Sequence, residues 1–194
     1  MKKLVLLMLV SVSVAVSDAR AAFVADIYAG ATTSMGANMT LVPSGVPGMD
    51  RGNYEKSATS YGAVLGVDIP LVRVEGEYNY IKSELVEVQL GMVNAYLKLF
   101  PLPFMKPYVG IGGGMVIGGS PESNDDVPDV KKGALAGQGM LGLQFSIPAT
   151  PLYLDIEGRA LYIDDAYTIG APGFEKGVGM LQYDVRAKIR YVLF

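Results

Sequence analysis

The sequence predicts an all-β fold, namely an eight-stranded antiparallel up-and-down transmembrane β-barrel. First, apolar and polar residues alternate with a period of two along most of residues 22–194, as in strands with two unlike faces. Second, the last alternating run, residues 178–194, is longer than a common strand of about 5–6 residues and reaches the about 9–11 that cross a bilayer. Third, no apolar stretch after residue 21 has the length of a spanning helix, so only strands remain to cross a membrane. A terminal strand of this kind pairs its free edge with the first strand, which closes the barrel.

The chain begins with the features of an export signal. Lys2 and Lys3 are followed by the apolar residues 4–16 and by Ala19-Arg20-Ala21, a small-x-small cleavage site. The alternative is a membrane-anchoring helix, but the apolar run is shorter than the about 20 residues that such a helix needs. We therefore expect a signal peptide at residues 1–21, cleaved after Ala21, and one barrel domain at residues 22–194.

The composition argues against several classes of function. The chain has no cysteine, which predicts a fold held without disulfides, and its net charge of −3 argues against nucleic acid as a partner. It has no histidine, the side chain that titrates near neutral pH and often serves as a general acid or base. Acidic pairs such as Asp125-Asp126 lack a calcium-loop spacing, and the glycines at 110–114 lack the strand-to-helix context of a phosphate loop. We expect no enzyme activity, catalytic residue, metal or cofactor.

Eight alternating runs can be placed along the chain. The predicted strands are residues 23–31, 61–69, 72–80, 86–100, 106–115, 135–147, 152–162 and 178–194. In the fourth run, Val88 and Met92 have the opposite parity to Val93 and Leu97, which predicts a bulge near Met92. The links after the second, fourth and sixth runs are short and contain proline, whereas the others are polar and longer on average. Short turns at one end and longer loops at the other are typical of outer-membrane barrels.

Alternation alone does not decide which row of side chains faces outward. A soluble lipocalin-like barrel has the same period but turns its apolar row inward around a ligand. Three features favour an apolar row that faces lipid: glycines and charges of both signs on the polar row, tyrosines near strand ends, and the terminal aromatic Phe194. The tyrosines are Tyr61, Tyr80, Tyr162, Tyr183 and Tyr191.

The polar row, which is the predicted interior, carries nearly balanced charge. Its seven acids are Asp26, Asp68, Glu75, Glu77, Asp155, Glu157 and Asp184, and its six bases are Arg73, Lys98, Arg159, Arg186, Lys188 and Arg190. Because an unpaired charge in a narrow dry interior is costly, this balance predicts a structural network of ion pairs. Glu157 and Arg159 are expected beside Arg186 and Lys188 on the last strand. A barrel of eight strands is just wide enough for its side chains to fill, so we expect no pore.

Three segments carry a resemblance to a known family. They are Pro107-Tyr108-Val109-Gly110-Ile111-Gly112-Gly113-Gly114 and the Arg/Glu/Tyr runs at residues 72–78 and 155–162. In this order they resemble the opacity-type and OmpA-like outer-membrane β-barrels (the outer membrane protein beta-barrel domain), over residues 22–194. Phe194 departs from the family pattern, because it shares parity with Arg190 instead of the lipid-facing row. Either a bulge near Val192 corrects the register or the last residues leave the sheet.

The resemblance implies a place in the bacterial outer membrane and a structural or adhesin-like role. The expected partners are outer-membrane lipid and lipopolysaccharide, the barrel assembly machinery through the C-terminal strand, and a host surface ligand. The candidate contact loops are residues 32–56, which contain several apolar side chains, and residues 118–132, which are acidic. Two alternatives stay open: a small-solute porin, and a soluble periplasmic lipocalin-like barrel that binds an apolar ligand.

Overall fold

The described part of the chain is one closed barrel. The computed structural model describes residues 25–43, 56–83, 86–100, 102, 105–121, 130–169 and 176–193. The eight strands are β1 (Asp26–Pro43), β2 (Lys56–Asp68), β3 (Val72–Ser83), β4 (Val86–Lys98), β5 (Met105–Pro121), β6 (Leu135–Ser146), β7 (Leu152–Ile169) and β8 (Lys176–Val192). Within these ranges, no helix is long and apolar enough to cross a membrane.

The strands follow one another around the barrel in sequence order. Each pairs antiparallel with the next, and β8 pairs with β1, which confirms the predicted fold class. The links after β2, β4 and β6 lie at one end, called here the short-turn end, and the other links lie at the loop end. Following paired residues around the barrel from Asp26 leads through Asp184 back to β1 at Ala37. This offset shows that the strands are tilted, as barrel closure requires.

The apolar row of side chains is the exposed one. Ile111 is 73% exposed and Leu141 is 69% exposed. Along β3, the outward Val74 alternates with the buried Arg73 and Glu75. An apolar exterior around a polar interior is the arrangement of a barrel that spans lipid, and the reverse of a lipocalin.

Several strands extend further toward the loop end than the sequence pattern predicts, and β1, β5 and β7 do so by the most residues. β1 continues to Pro43, so residues 32–43 of the predicted loop 32–56 are strand; β5 extends to Pro121, into the predicted loop 118–132; and β7 continues to Ile169 instead of ending at 162. These segments lack clean alternation, but neighbouring strands pair with their backbones, as Pro43 with Val178 and Ile169 with Lys176 show. Residues 1–24, 44–55, 84–85, 101, 103–104, 122–129, 170–175 and 194, which include the predicted signal peptide, lie outside the described residues.

The predicted bulge near Met92 is wrong. β4 alternates without interruption, and the register shift lies on its partner β5, where Ile117 has no opposite residue between Val116 and Gly118. Val88, Leu90 and Met92 point into the barrel, and the interior around them is apolar, because its lining changes from polar to apolar toward the loop end. The side chains of this buried apolar cluster are Ala37, Ala58, Ile81, Val88, Leu90, Met92, Val116, Ala134, Ala136, Leu161, Ile163, Ala166 and Met180. The sequence pattern did not predict this apolar zone.

The C-terminal strand remains in register to its last residue. Tyr191 lies opposite Ala29, and Val192 lies opposite Tyr28, without a shift. The Leu193 amide then donates a hydrogen bond of 2.7 Å to the Ile27 carbonyl. The alternative of a bulge near Val192 is therefore wrong, and Phe194 lies outside the described residues.

Candidate functional site: the charged barrel interior

The candidate site is the inner row of charged side chains in the short-turn half of the barrel. All of the predicted residues lie on inward-facing strand positions, and nearly all are buried. Asp26 and Lys98 are half-buried, and Asp26 has no ion-pair partner among the described residues. The predicted residues joined in ion pairs are Asp68, Arg73, Glu75, Glu77, Lys98, Asp155, Glu157, Arg159, Asp184, Arg186, Lys188 and Arg190.

The lowest level of the network, nearest the short turns, is centred on Asp155. Its carboxylate accepts hydrogen bonds from Arg73 Nη1 at 2.8 Å and from Arg190 Nε and Nη2 at 2.9 and 3.0 Å. Arg190 also reaches Asp68 through Nη1 at 3.2 Å, and Lys98 forms an ion pair with the same Asp68. Two carboxylates and three cations thus meet beside the short turns.

The middle level is centred on Glu75. Lys188 Nζ lies 2.5 Å from Glu75 Oε1, and the hydroxyls of Tyr28 and Tyr96 donate to the two carboxylate oxygens at 2.7 and 2.5 Å. Asn94 Nδ2 adds a longer hydrogen bond of 3.3 Å. The single carboxylate is therefore held by one cation from β8 and by three neutral donors from β1 and β4.

The upper level links two acids through Arg186. Its Nε donates to Glu157 Oε1 at 3.0 Å, and its Nη1 forms an ion pair with Glu77. Glu157 lies directly opposite Arg186 in the β7–β8 ladder, whereas Arg159 lies opposite Asp184 and donates to it from Nε at 3.1 Å. Asp184 also accepts a hydrogen bond of 2.7 Å from Gln182.

Burial and pairing decide what this network can do. Glu157, Arg186 and Lys188 are completely enclosed, so each ion has lost its hydration and depends on its protein partners. Carboxylates that are already bonded to two or three cations or donors are poor candidates for proton transfer. Within the described ranges, the acids do not gather into a group of three that could hold a metal ion.

One cation in the network is supported by aromatic rings. The Arg73 guanidinium lies 4.0 Å from the centre of the Tyr96 ring and 4.6 Å from that of Tyr108. The two rings meet edge to face at 5.4 Å. Arg73 Nε and Nη2 are buried without a hydrogen-bond partner, so the ring faces supply part of the stabilisation that hydrogen bonds do not.

The fold of the chain resembles that of a solved barrel. Neisserial surface protein A, solved by crystallography, superposes with a TM-score of 0.60 at 16% identity, covering 87% of this chain and 98% of that one. The chain has the fold of an outer-membrane β-barrel. The outer membrane protein AlkL, solved by solid-state NMR, superposes with a TM-score of 0.48 at 14% identity, covering 87% of this chain and 90% of that one. No protein-family model and no curated protein sequence matches the chain.

The predicted network contained only the charged residues of the barrel interior and lacked the neutral partners that connect them. Asn94 donates to Glu77 at 2.7 Å and accepts a hydrogen bond of 2.7 Å from Gln138. Tyr108 donates to Glu157 at 3.1 Å. The signal was present, because the same parity that places the charges inside also places these residues inside.

Glycines on the inner row make room for the interior tyrosines. Tyr28 lies opposite Gly66, and Tyr108 lies opposite Gly142, each as a direct partner in the ladder. A Cβ on Gly66 would stand 2.5 Å from the Tyr28 hydroxyl, and one on Gly142 would stand 2.6 Å from Tyr108 Cζ. Each tyrosine therefore needs a glycine across from it in order to reach its carboxylate.

Proposed function

We propose that this chain is an integral protein of the bacterial outer membrane, with a filled and non-conducting interior, and that it serves a structural and surface-interaction role. One observation carries the proposal: the apolar row faces outward, while acids and bases in nearly equal number are paired and buried inside. A surface of this kind is stable only in lipid. Export with cleavage of residues 1–21 is part of the same proposal.

The interior offers two successive obstacles to a solute. The charged network lies across the short-turn half, and the apolar cluster around Leu90, Leu161 and Met180 lies across the loop half. A hydrated ion would have to lose its water in the apolar half after passing the paired charges. This supports a closed barrel over the alternative of a small-solute porin.

A non-enzymatic role fits the same side chains. The chain has no histidine, and the buried carboxylates of the network are held by arginine, lysine and tyrosine. A substrate would need at least one acid or base that it can reach and that is not already bonded. We therefore propose that the network stabilises the barrel and takes no part in a reaction.

Two measurements test the closed-barrel proposal. Protein from an outer-membrane fraction should migrate differently on gels before and after boiling, because a closed barrel resists detergent until it is heated. Reconstituted into a planar bilayer beside a large porin as a positive control, it should show no steady conductance. A reproducible channel of porin size from protein with the correct heat-dependent mobility would contradict the filled interior.

The proposed surface partners are lipopolysaccharide and a host ligand. At the loop end, the exposed Lys82, Lys131 and Lys132 are suited to meet lipopolysaccharide phosphates. Because residues 32–43, 56 and 118–121 belong to strands, the candidate host-contact segments reduce to residues 44–55 and 122–132. The barrel assembly machinery is the proposed partner of β8 before that strand closes on β1.

The adhesin-like role has its own test. Residues 44–55 and 122–132 are shortened separately, heat-dependent mobility shows that each variant still forms the barrel, and attachment of cells to host surfaces is measured. Reduced attachment for either variant supports contact through that segment. Unchanged attachment for both would remove the adhesin-like role and leave the structural one.

A further inference from the structure

The short-turn end of the barrel contains a cavity that the ion-pair network does not fill. It has a volume of about 450 Å³, within the roughly 300–1,000 Å³ range of small-molecule sites. Its polar lining comes from Asp26, Asp68, Lys98, Lys106, Gln144 and Tyr153, which lie on six different strands. Leu71 and Phe100, from two of the short turns, add an apolar rim. We call this cavity the vestibule.

Three polar groups of the vestibule have no partner within the described part of the chain. Asp26 and Lys106 are half-buried and form neither an ion pair nor a side-chain hydrogen bond there. Gln144 is 1% exposed, and its Oε1 is buried without a hydrogen-bond donor. A buried amide oxygen without a donor is costly unless a bound molecule or water satisfies it.

The two free charges lie on opposite walls. Asp26 begins β1 and Lys106 lies near the start of β5, and these strands are separated by three others in either direction around the barrel. The other ions of the lining are already engaged, because Lys98 is paired with Asp68, which also meets Arg190. A carboxylate and an ammonium thus face a shared cavity from opposite sides without neutralising each other.

We infer that the vestibule binds a small zwitterion, the size of an amino acid or dipeptide, with a primary ammonium, a carboxylate and an apolar side chain. Asp26 receives the ammonium, and Lys106 receives the carboxylate. Leu71 and Phe100 contact the apolar side chain. Because the paired charges close the inner end of the vestibule, the ligand enters and leaves through the short-turn end.

The test uses the whole barrel in nanodiscs of phosphatidylglycerol, whose headgroup carries no ammonium. Glycyl-L-leucine is the probe, and binding is followed by NMR shifts of the backbone amides of Ile69, Leu99 and Tyr153. Gly133 at the loop end serves as the internal reference, where no shift is expected. N-acetylglycyl-L-leucine lacks the ammonium and glycyl-L-leucinamide lacks the carboxylate, so each should bind about tenfold more weakly, as the loss of one charged hydrogen bond predicts.

Two variants assign the charges. Asp26→Asn should weaken binding of the dipeptide about tenfold but leave binding of N-acetylglycyl-L-leucine unchanged. Lys106→Gln should also weaken binding of the dipeptide about tenfold but leave binding of glycyl-L-leucinamide unchanged. Asp164→Asn, an exposed residue toward the loop end of β7, is the control and should bind like the wild type. Heat-dependent mobility shows that each variant forms the barrel. Absence of vestibule shifts at millimolar dipeptide, or equal binding by the wild type and both variants, would overturn the inference.

Discussion

Tyr96 on β4 occupies the space that a side chain at Gly110 on β5 would need. The two residues are direct partners in the ladder, and a Cβ on Gly110 would stand 2.4 Å from Tyr96 Cδ1. From this position the Tyr96 hydroxyl reaches Glu75, and the ring supports Arg73. The glycine is therefore required by packing inside the barrel, and not by an unusual backbone conformation.

Gly110→Ala should destabilise the barrel by about 1–3 kcal/mol, since the added methyl forces Tyr96 from its place. The matched control is Gly113→Ala on the same strand, where the nearest atom to the added Cβ, the Ala136 carbonyl oxygen, is 4.0 Å away. Urea unfolding in lipid vesicles, followed by the gel mobility of unboiled samples, gives the free energies. Equal stability of the two variants would show that the interior is looser than the structure indicates.

Glu157→Gln should lower stability by about 3–5 kcal/mol, because it removes one partner of buried ion pairs and leaves Arg186 undercompensated. Glu157 is enclosed and also accepts the hydrogen bond from Tyr108. Glu87→Gln is the control, since the Lys82–Glu87 pair at 3.1 Å lies at the surface and should contribute little. The same urea titration measures both. A loss for Glu157→Gln no greater than that for Glu87→Gln would argue against a stabilising network.

Leu141→Arg should block or slow assembly, because a cation at the midplane of the lipid-facing surface costs about 2–4 kcal/mol. Leu141 is 69% exposed on the outer row of β6. Leu102→Arg places the same charge on an exposed residue of the turn between β4 and β5, where water can solvate it. Folding into vesicles is followed by the fraction of protein that acquires heat-dependent mobility. If both variants fold at the wild-type yield, the assignment of the outer row to lipid is wrong.

Leu90→Ala should cost about 2–5 kcal/mol, because it opens a cavity in the apolar cluster of the loop half. Leu97→Ala on the same strand removes an identical side chain that is 50% exposed on the outer row, where lipid fills the space, and should cost less. Urea titration compares the two, and a larger loss for Leu97→Ala would count against a packed apolar zone.

The sequence determined which side chains face inward and which face outward along most of each strand. Val74 and Glu75 are neighbours in the chain, and the pleat sends them to opposite faces wherever the strand lies in the barrel. The prediction failed at Val88, Leu90 and Met92 because it assumed that every apolar residue faces lipid. The alternation of inward and outward side chains was intact, but the inward side chains change from charged to apolar toward the loop end.

Strand ends were the least predictable feature, for a related reason. Toward the loop end, residues 40–43 of β1 pair with residues 178–181 of β8. Backbone hydrogen bonds hold these segments together, so neither face has to be uniformly apolar. A pattern of apolar residues cannot report hydrogen bonds that a distant strand supplies. The predicted loops were therefore too long by the length of these extensions.

By itself, the sequence determined the alternation, the number of strands and the near balance of interior charge, since these depend on chain-local patterning and composition. The tertiary structure alone decided which acid meets which base. Glu77 and Arg186 are distant in the chain, yet they meet because strand tilt and side-chain length bring β3 and β8 together across the interior. The same geometry leaves Asp26 and Lys106 apart on opposite walls. Pairing across a barrel depends on the combined register offsets of all the strands between the two partners, and no local sequence pattern encodes these offsets.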